Sequence, residues 1–150
     1  IMETNFFGTL NCIMAVDKFF REKKSGQISI VSSVAGYRGL PAASGYCASK
    51  SALISLAESL YFDFKRYNVR ISLVSPGFIK TPMTDKNKFP MPMIKSPEFA
   101  AEKMFIGLTK KNVFEIHFPM SFTLIMKLLK IMPNWLYFLL VKKGMKTIKY

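Results

Sequence analysis

The chain has 150 residues, 50% of them hydrophobic, and its 22 lysines and arginines against 9 acidic residues give a formal net charge of +13. This composition excludes a disordered tail, and the two cysteines, Cys12 and Cys47, are too far apart for a Cys-x-x-Cys metal site. We expect one globular domain or a large part of one, with no metal site and no disulfide framework.

The elements predicted along the chain alternate between helices and strands. A helical pattern of apolar residues opens the chain through Phe20, and short β-branched or apolar runs predict strands at 28–31, 69–74 and 113–118. Helices are predicted over 44–67 and 98–108. This order predicts an α/β domain with a parallel sheet and right-handed crossovers.

The segment 78–97 is rich in proline, lysine and methionine, which favours a mobile excursion that could act as a lid. Methionines adapt to apolar ligands, so we expect this excursion to contact a hydrophobic substrate.

The segment 120–150 has a different composition from the rest, with six lysines and no acidic residue. Pro133 and the lysines interrupt any apolar span of the roughly 20 residues needed to cross a bilayer, so an interfacial helix is favoured over a transmembrane one. A helix that completes the core or a subunit contact is the alternative. We expect two regions, a catalytic part over 1–119 and a basic, amphipathic helical tail over 120–150.

Ser33, Tyr46 and Lys50 form the most informative pattern. Ser33 follows a predicted buried strand, where open α/β sheets bind ligands. Tyr46 and Lys50 are four residues apart on one predicted helix, so they share a face. An ammonium group next to a phenol favours the phenolate, and such a pair can exchange a proton.

Around these residues the sequence resembles the short-chain dehydrogenase/reductase family. The likeness covers the Ser-Ser-Val-Ala-Gly run at 32–36, the Tyr-Cys-Ala-Ser-Lys run at 46–50, the Asn-Phe-Phe-Gly run at 5–8 and the Pro-Gly-x-x-x-Thr loop at 76–81. These motifs follow the family's order over residues 5–81.

The resemblance implies a role for each matched residue. Tyr46 would be the general acid or base, Lys50 would assist it and hold the nicotinamide ribose, Ser33 would orient the substrate oxygen, and Asn5 would support a water relay. The cofactor, NAD or NADP, would also contact the loop residues Pro76, Gly77, Ile79 and Thr81. From the residues alone, Asn5 and Ser33 could equally be capping residues and Pro76-Gly77 a plain turn.

The sequence lacks the family's glycine-rich pyrophosphate turn, Gly-x-x-x-Gly-x-Gly. We therefore expect that roughly 80 to 110 residues precede Ile1 in a complete domain of the usual doubly wound size. The fold class is then the C-terminal part of a Rossmann-like doubly wound parallel sheet, which we expect to be inactive alone.

The function implied is an NAD(P)-dependent oxidoreductase acting on an alcohol or carbonyl compound. A lipophilic substrate is favoured, and a steroid-like or sugar substrate is the alternative. The alternative function is a non-catalytic membrane-surface or interaction remnant. The family also implies a homodimer or homotetramer through the two long helices.

No secretory signal opens the sequence, so we expect a cytoplasmic protein, either free or membrane-associated through 120–150. No nucleic-acid-binding motif or aromatic interleaving accompanies the basic residues at helix ends and turns, so we expect no nucleic-acid partner. These residues are Arg21, Lys23, Lys24, Lys65, Arg66 and Arg70.

Overall fold

The computed structural model describes residues 1–87 and 89–145. Its helices and strands follow the predicted alternation. The elements are a π-helical turn Glu3–Phe7, α1 Gly8–Lys23, β1 Gly26–Val31, a 3-10 turn Val34–Gly36, α2 Ser44–Lys65, β2 Val69–Pro76, a 3-10 turn Thr84–Lys86, α3 Pro97–Thr109, β3 Glu115–Phe118, α4 Met120–Ile131 and α5 Asn134–Met145.

The three strands form one parallel sheet in the order β1-β2-β3. In β1 and β2 the register runs from Gly26 opposite Val69 to Val31 opposite Val74, and in β2 and β3 from Leu73 opposite Glu115 to Pro76 opposite Phe118. All three carboxyl ends therefore lie at one edge of the sheet, where open α/β folds bind ligands.

The central strand β2 is buried on both faces, as a near-continuous apolar run predicts for a parallel sheet. On one face Ile71 and Leu73 belong to a core cluster with Leu53, Ala57 and Phe64 of α2. On the other face Val74 packs with Ala100 of α3 and with strand β3. The long helix thus lies against the sheet along most of its length, which fixes where its first turns stand.

The boundaries differ from the predicted ones by a few residues. β3 begins at Glu115 rather than at residue 113, so Val113 and Phe114 precede the strand. α3 begins at Pro97, with the Ser96 hydroxyl accepting a hydrogen bond from the Phe99 amide at 3.2 Å, as the predicted cap requires.

The excursion 78–97 is tied down at its base. Ile79 and Lys95 form an isolated parallel bridge, and Thr84–Lys86 make a single 3-10 turn. Lys88 lies outside the described residues.

The C-terminal segment forms two helices rather than one, separated at Met132 and Pro133. Phe122 and Met126 of α4 join the main core cluster, so this helix packs against the body of the domain. The division at residue 119 remains a prediction, and residues 146–150 of the predicted tail lie outside the described residues. No helix in the described part of the chain is both long and apolar enough to span a bilayer.

Candidate active site

Ser33 stands two residues beyond the end of β1, at the edge where the strands' carboxyl ends meet. Its hydroxyl accepts a hydrogen bond from the Ala35 amide at 3.2 Å and donates one to the Pro76 carbonyl at 3.4 Å. The first bond caps the short Val34–Gly36 turn. Ser33 therefore does have the capping role that the sequence left open, and it also joins the ends of β1 and β2.

Tyr46 and Lys50 lie one turn apart near the start of α2, both half-buried. The Lys50 ammonium is 5.7 Å from the centroid of the Tyr46 ring and donates a hydrogen bond to the Val31 carbonyl at 3.1 Å. Burial lowers the pKa of Lys50 below its ordinary 10.5, because desolvation disfavours the charged form. The cation is thus held beside the phenol ring and the strand end.

The backbone of α2 is fixed against the sheet at this point. The buried Ser32 hydroxyl donates to the Lys50 carbonyl at 2.7 Å. Val31, the last residue of β1, and Ser32, which follows it, therefore contact Lys50 twice, once through its side chain and once through its carbonyl. This double contact sets the position of the pair relative to Ser33.

Asn5 lies in the π-helical turn and is half-buried rather than exposed. Its side-chain amide donates to the Ser49 hydroxyl at 3.0 Å, and that hydroxyl donates in turn to the Tyr46 carbonyl at 2.8 Å. Ser49 is fully buried and connects the two motifs. The sequence predicted Asn5 but gave Ser49 no role beyond that of a small helix residue. Its position between Tyr46 and Lys50 was the available signal.

The loop after β2 carries the predicted cofactor residues. The Gly77 amide donates to the Phe118 carbonyl at 2.7 Å, and a Cβ at Gly77 would lie 2.9 Å from Cδ1 of Phe122. Ile79 takes part in the bridge at the base of the excursion. The Thr81 amide donates to the Thr84 hydroxyl at 2.8 Å, so Thr81 shapes a local turn.

The contacts bring some of the predicted residues together and leave others apart. Hydrogen bonds link Asn5 to the helix of Tyr46 and Lys50, Lys50 to the end of β1, and Ser33 to Pro76. Among the described residues, no hydrogen bond joins the Tyr46 hydroxyl to Ser33 or Lys50. Likewise, no hydrogen bond in this part of the chain joins Ile79 or Thr81 to Ser33 or Lys50.

A second polar cluster lies near this edge and was not predicted. The Glu115 carboxylate accepts hydrogen bonds from the Tyr37 hydroxyl, from the Ser75 hydroxyl at 2.9 Å and from the Lys127 ammonium at 2.6 Å. Burial acts to raise the pKa of Glu115, but the three donors outweigh it and hold that pKa below 4.5. Burial and the bond to Glu115 raise the pKa of Tyr37. The cluster ties α4 to β2, β3 and the loop after Ser33.

No group of three or more potential metal ligands occurs among residues 1–87 and 89–145. Both cysteines are free, Cys12 exposed and Cys47 buried.

Comparison with known proteins matches residues 1–90 to the family described as short chain dehydrogenase. An uncharacterised oxidoreductase of Myxococcus xanthus is 36% identical over 137 residues, which are 91% of this chain and 54% of the relative. A 3-ketodihydrosphingosine reductase of Bacteroides thetaiotaomicron is 37% identical over 84 residues, 56% of this chain and 31% of the relative. The chain thus spans about half or less of the length of these curated relatives.

Among solved structures, a short chain dehydrogenase from Burkholderia cenocepacia in complex with NADP superposes with a TM-score of 0.77 at 28% identity, over 91% of this chain and 55% of that one. The mixed α/β architecture with a parallel sheet is the same in both.

Proposed function

We propose that this chain, which belongs to the short-chain dehydrogenase family, carries the catalytic residues of an NAD(P)-dependent oxidoreductase that interconverts an alcohol and a carbonyl compound. The observation that carries the proposal is the position of the Lys50 ammonium, 5.7 Å from the Tyr46 ring and bonded to the strand end that precedes Ser33. A phenol, a cation and a hydroxyl at the carboxyl ends of parallel strands are suited to moving one proton at a substrate oxygen.

In this proposal Tyr46 gives its phenolic proton to the oxygen of a carbonyl substrate, or takes one from an alcohol. The Ser33 hydroxyl turns from the Pro76 carbonyl, a long 3.4 Å contact, to donate to the same oxygen. The Lys50 ammonium stabilises the phenolate left behind. Asn5 holds the first turn of α2 through Ser49 and supports the water that returns the proton.

The residues of this chain fit the nicotinamide half of a dinucleotide. An ammonium has three donors, and the described contacts of Lys50 use one of them, on Val31. The others suit ribose hydroxyls, and we assign Pro76, Gly77, Ile79 and Thr81 to the carboxamide side of the pocket. When bound, the cofactor supplies or accepts the hydride. The Gly-x-x-x-Gly-x-Gly pattern does not occur in the 150 residues, so we assign no pyrophosphate-binding residues in this chain.

A lipophilic substrate is the favoured class. The excursion 78–97 exposes Met83, Phe89 and Met93, and the Phe78 ring lies 6.1 Å from Phe89 and 5.6 Å from Phe122. An apolar wall with adaptable methionines at the edge of the sheet suits an aliphatic chain next to the reacting carbon. One relative is named as a reductase of 3-ketodihydrosphingosine, which is a ketone.

We also propose that the protein forms a homodimer or homotetramer through α1 and α2. Met14, Phe19 and Phe62 are large apolar side chains that these two helices expose. Burial of such side chains in a self-complementary contact would remove them from water.

The test measures nicotinamide absorbance with the full-length protein and a panel of ketones of increasing chain length. Replacement Tyr46→Phe is expected to reduce turnover by roughly 10²-fold or more, the usual contribution of a general acid. Tyr61→Phe, on the same helix, is the matched control and is expected to retain activity. Equal turnover in the wild type and Tyr46→Phe would reject the assignment. A wild-type protein that binds partners but never oxidises NAD(P)H would favour the non-catalytic alternative.

A further inference from the structure

The two C-terminal helices expose apolar side chains where soluble helices normally carry polar ones. Leu124, Leu128 and Ile131 follow one another at helical spacing on the outside of α4, and Ile131 is 78% exposed. The opposite face of α4 already packs in the core through Phe122 and Met126. The outer face of α4 is therefore an apolar surface in addition to the one that the fold uses.

Helix α5 also exposes apolar side chains. Trp135, Phe138 and Leu139 lie on one side of the helix, with Trp135 70% and Phe138 63% exposed, and Lys142 and Lys143 follow on the next turn. An exposed patch of this kind marks an interaction site in a protein of this size. We call the exposed apolar side chains of α4 and α5 the C-terminal apolar surface. Its members are Met120, Leu124, Ile125, Leu128, Ile131, Trp135, Phe138, Leu139 and Leu140.

The surface is held rigidly to the domain. The Arg38 guanidinium donates to the carbonyls of Lys130 at 2.9 Å and Met132 at 3.0 Å, which are at the end of α4, and to the side chain of Asn134 at the start of α5. Its Cζ also lies 4.4 Å from the Tyr137 ring centroid. The Tyr137 hydroxyl donates to the Gly39 carbonyl. The exposed side chains are thus presented by a fixed scaffold.

The charged residues of α4 and α5 are all basic, while Glu58 of α2 lines a cavity together with Lys130 and Ile131. No acidic residue follows Glu115 in the sequence. Lys127 is neutralised by its ion pair with Glu115 at 2.6 Å, whereas Lys130, Lys142 and Lys143 are exposed. The occupant must therefore offer an apolar layer together with negative charge. A second copy that paired α4 and α5 with their own counterparts would bring the lysines of one copy against those of the other, which is unfavourable.

We propose that the C-terminal apolar surface docks on the headgroup region of an anionic lipid bilayer. Aliphatic and aromatic side chains with lysines at their border are the composition of interfacial helices, and tryptophan settles at headgroup depth. Within residues 89–145 each of these helices has 12 residues, about 18 Å at 1.5 Å per residue, which is too short to cross the roughly 30 Å hydrocarbon core. The surface lies on the membrane and does not span it.

The first turn of α4 contacts the excursion that we assign to the substrate. The Ser121 hydroxyl at the start of α4 lies 3.3 Å from the sulfur of Met93, and Phe122 lies next to Phe78. Docking would place this excursion at the lipid boundary. The proposal about lipid binding stands on exposure and charge alone, so its failure is distinguishable from failure of the dehydrogenase assignment.

The experiment uses the full-length protein and sedimentation with vesicles of phosphatidylcholine, with or without about 30% phosphatidylglycerol. We expect binding to the anionic vesicles, weakened by salt. The triple variant Leu128→Ser/Ile131→Ser/Phe138→Ser should lower partitioning by at least about tenfold, and Lys142→Glu/Lys143→Glu by a similar factor. The matched controls are Phe105→Ser, 68% exposed on α3, and Lys110→Glu/Lys111→Glu at its end. They should stay within about twofold of the wild type.

Trp135 supplies a second measurement. The fluorescence of Trp135 is obtained by subtracting the emission spectrum of Trp135→Phe from that of the wild type. This emission should shift to the blue on anionic vesicles. Equal partitioning of all variants would overturn the proposal. So would an oligomer that the triple variant dissociates without any lipid binding, since a protein partner would then occupy the surface. If the protein sediments with anionic vesicles but the Trp135 emission does not shift to the blue, the proposal is also overturned.

Discussion

The side-chain amide of Asn5 donates a 3.0 Å hydrogen bond to the hydroxyl of Ser49, 44 residues away in sequence. Ser49 lies immediately before Lys50 and donates in turn to the carbonyl of Tyr46. The start of the chain is thereby bonded to the turn of α2 that carries the proposed acid–base pair. Asn5 has a structural role here that is additional to any role in catalysis.

This link predicts energetic coupling between Asn5 and Ser49. Ser49→Ala leaves a partly buried amide without its acceptor, so it should lower the free energy of unfolding by about 1–2 kcal/mol. In the background of Asn5→Ala the same replacement should cost about 1 kcal/mol less, because the donor is already gone. Urea denaturation of the four proteins measures this double-mutant cycle. Strict additivity would show that the bond contributes nothing.

Lys50 gives the second prediction, which concerns alkaline pH. Burial lowers its pKa below 10.5, so between the folded and unfolded pKa values the unfolded chain binds more protons. Stability of the wild type relative to Lys50→Met should therefore rise as pH increases through that window. The proposed turnover should fall over the same window, because the neutral amine no longer stabilises the phenolate.

Chemical denaturation and initial rates, each measured across pH 7 to 10.5, test this prediction. The control is Lys65→Met, since Lys65 ends the same helix in an exposed position. A stability difference between wild type and Lys50→Met that declines with pH would contradict the burial argument.

Glu115 gives the third prediction, at acid pH. Its pKa is held below 4.5 by bonds from Lys127, Tyr37 and Ser75 that outweigh the opposing effect of burial. The stability that this carboxylate contributes is present above 4.5 and is lost as pH falls through the folded pKa. Glu115→Gln should therefore be less stable than the wild type at pH 7 and should approach it near pH 3. Thermal melts at both pH values measure the difference, with the exposed Glu102→Gln as control. A gap that persists at pH 3 would contradict the assignment.

The sequence predicted the parts of the site that depend on local order. Helical spacing placed Tyr46 and Lys50 on one face, and a β-branched run ending before Ser33 placed that serine at the edge of the sheet. Both follow from the repeat of a single element.

The sequence did not predict the links that depend on how separate elements meet. Arg38 contacts residues more than 90 positions away, and Tyr37 reaches Glu115 across 78. From the sequence alone, any of the chain's 22 basic residues could have made the contact that Arg38 makes with the end of α4. Which one does is decided by the packing of α4 against the sheet, and this is a tertiary property. Pro133 indicated an interruption in the sequence, but the sequence did not predict that α4 and α5 are two separate helices.

Gly36 gives the last prediction, which ties the loop after Ser33 to the acid–base helix. A Cβ on Gly36 would lie 2.8 Å from the carbonyl carbon and oxygen of Lys50 and 2.8 Å from Cδ1 of Ile54. Backbone atoms in mid-helix cannot move aside cheaply, so Gly36→Ala should push the loop away from α2 and cost about 1–3 kcal/mol of stability.

The same displacement should stretch the Ser32 bond to Lys50 and misplace Ser33, so turnover should fall by more than the loss of folded protein explains. Gly39→Ala is the matched control, because a Cβ there meets no atom within 4 Å. Urea denaturation and rates at saturating cofactor, corrected for the folded fraction, separate the two effects. If Gly36→Ala matched Gly39→Ala in both measurements, the close approach of this loop to α2 would have no role in holding the site.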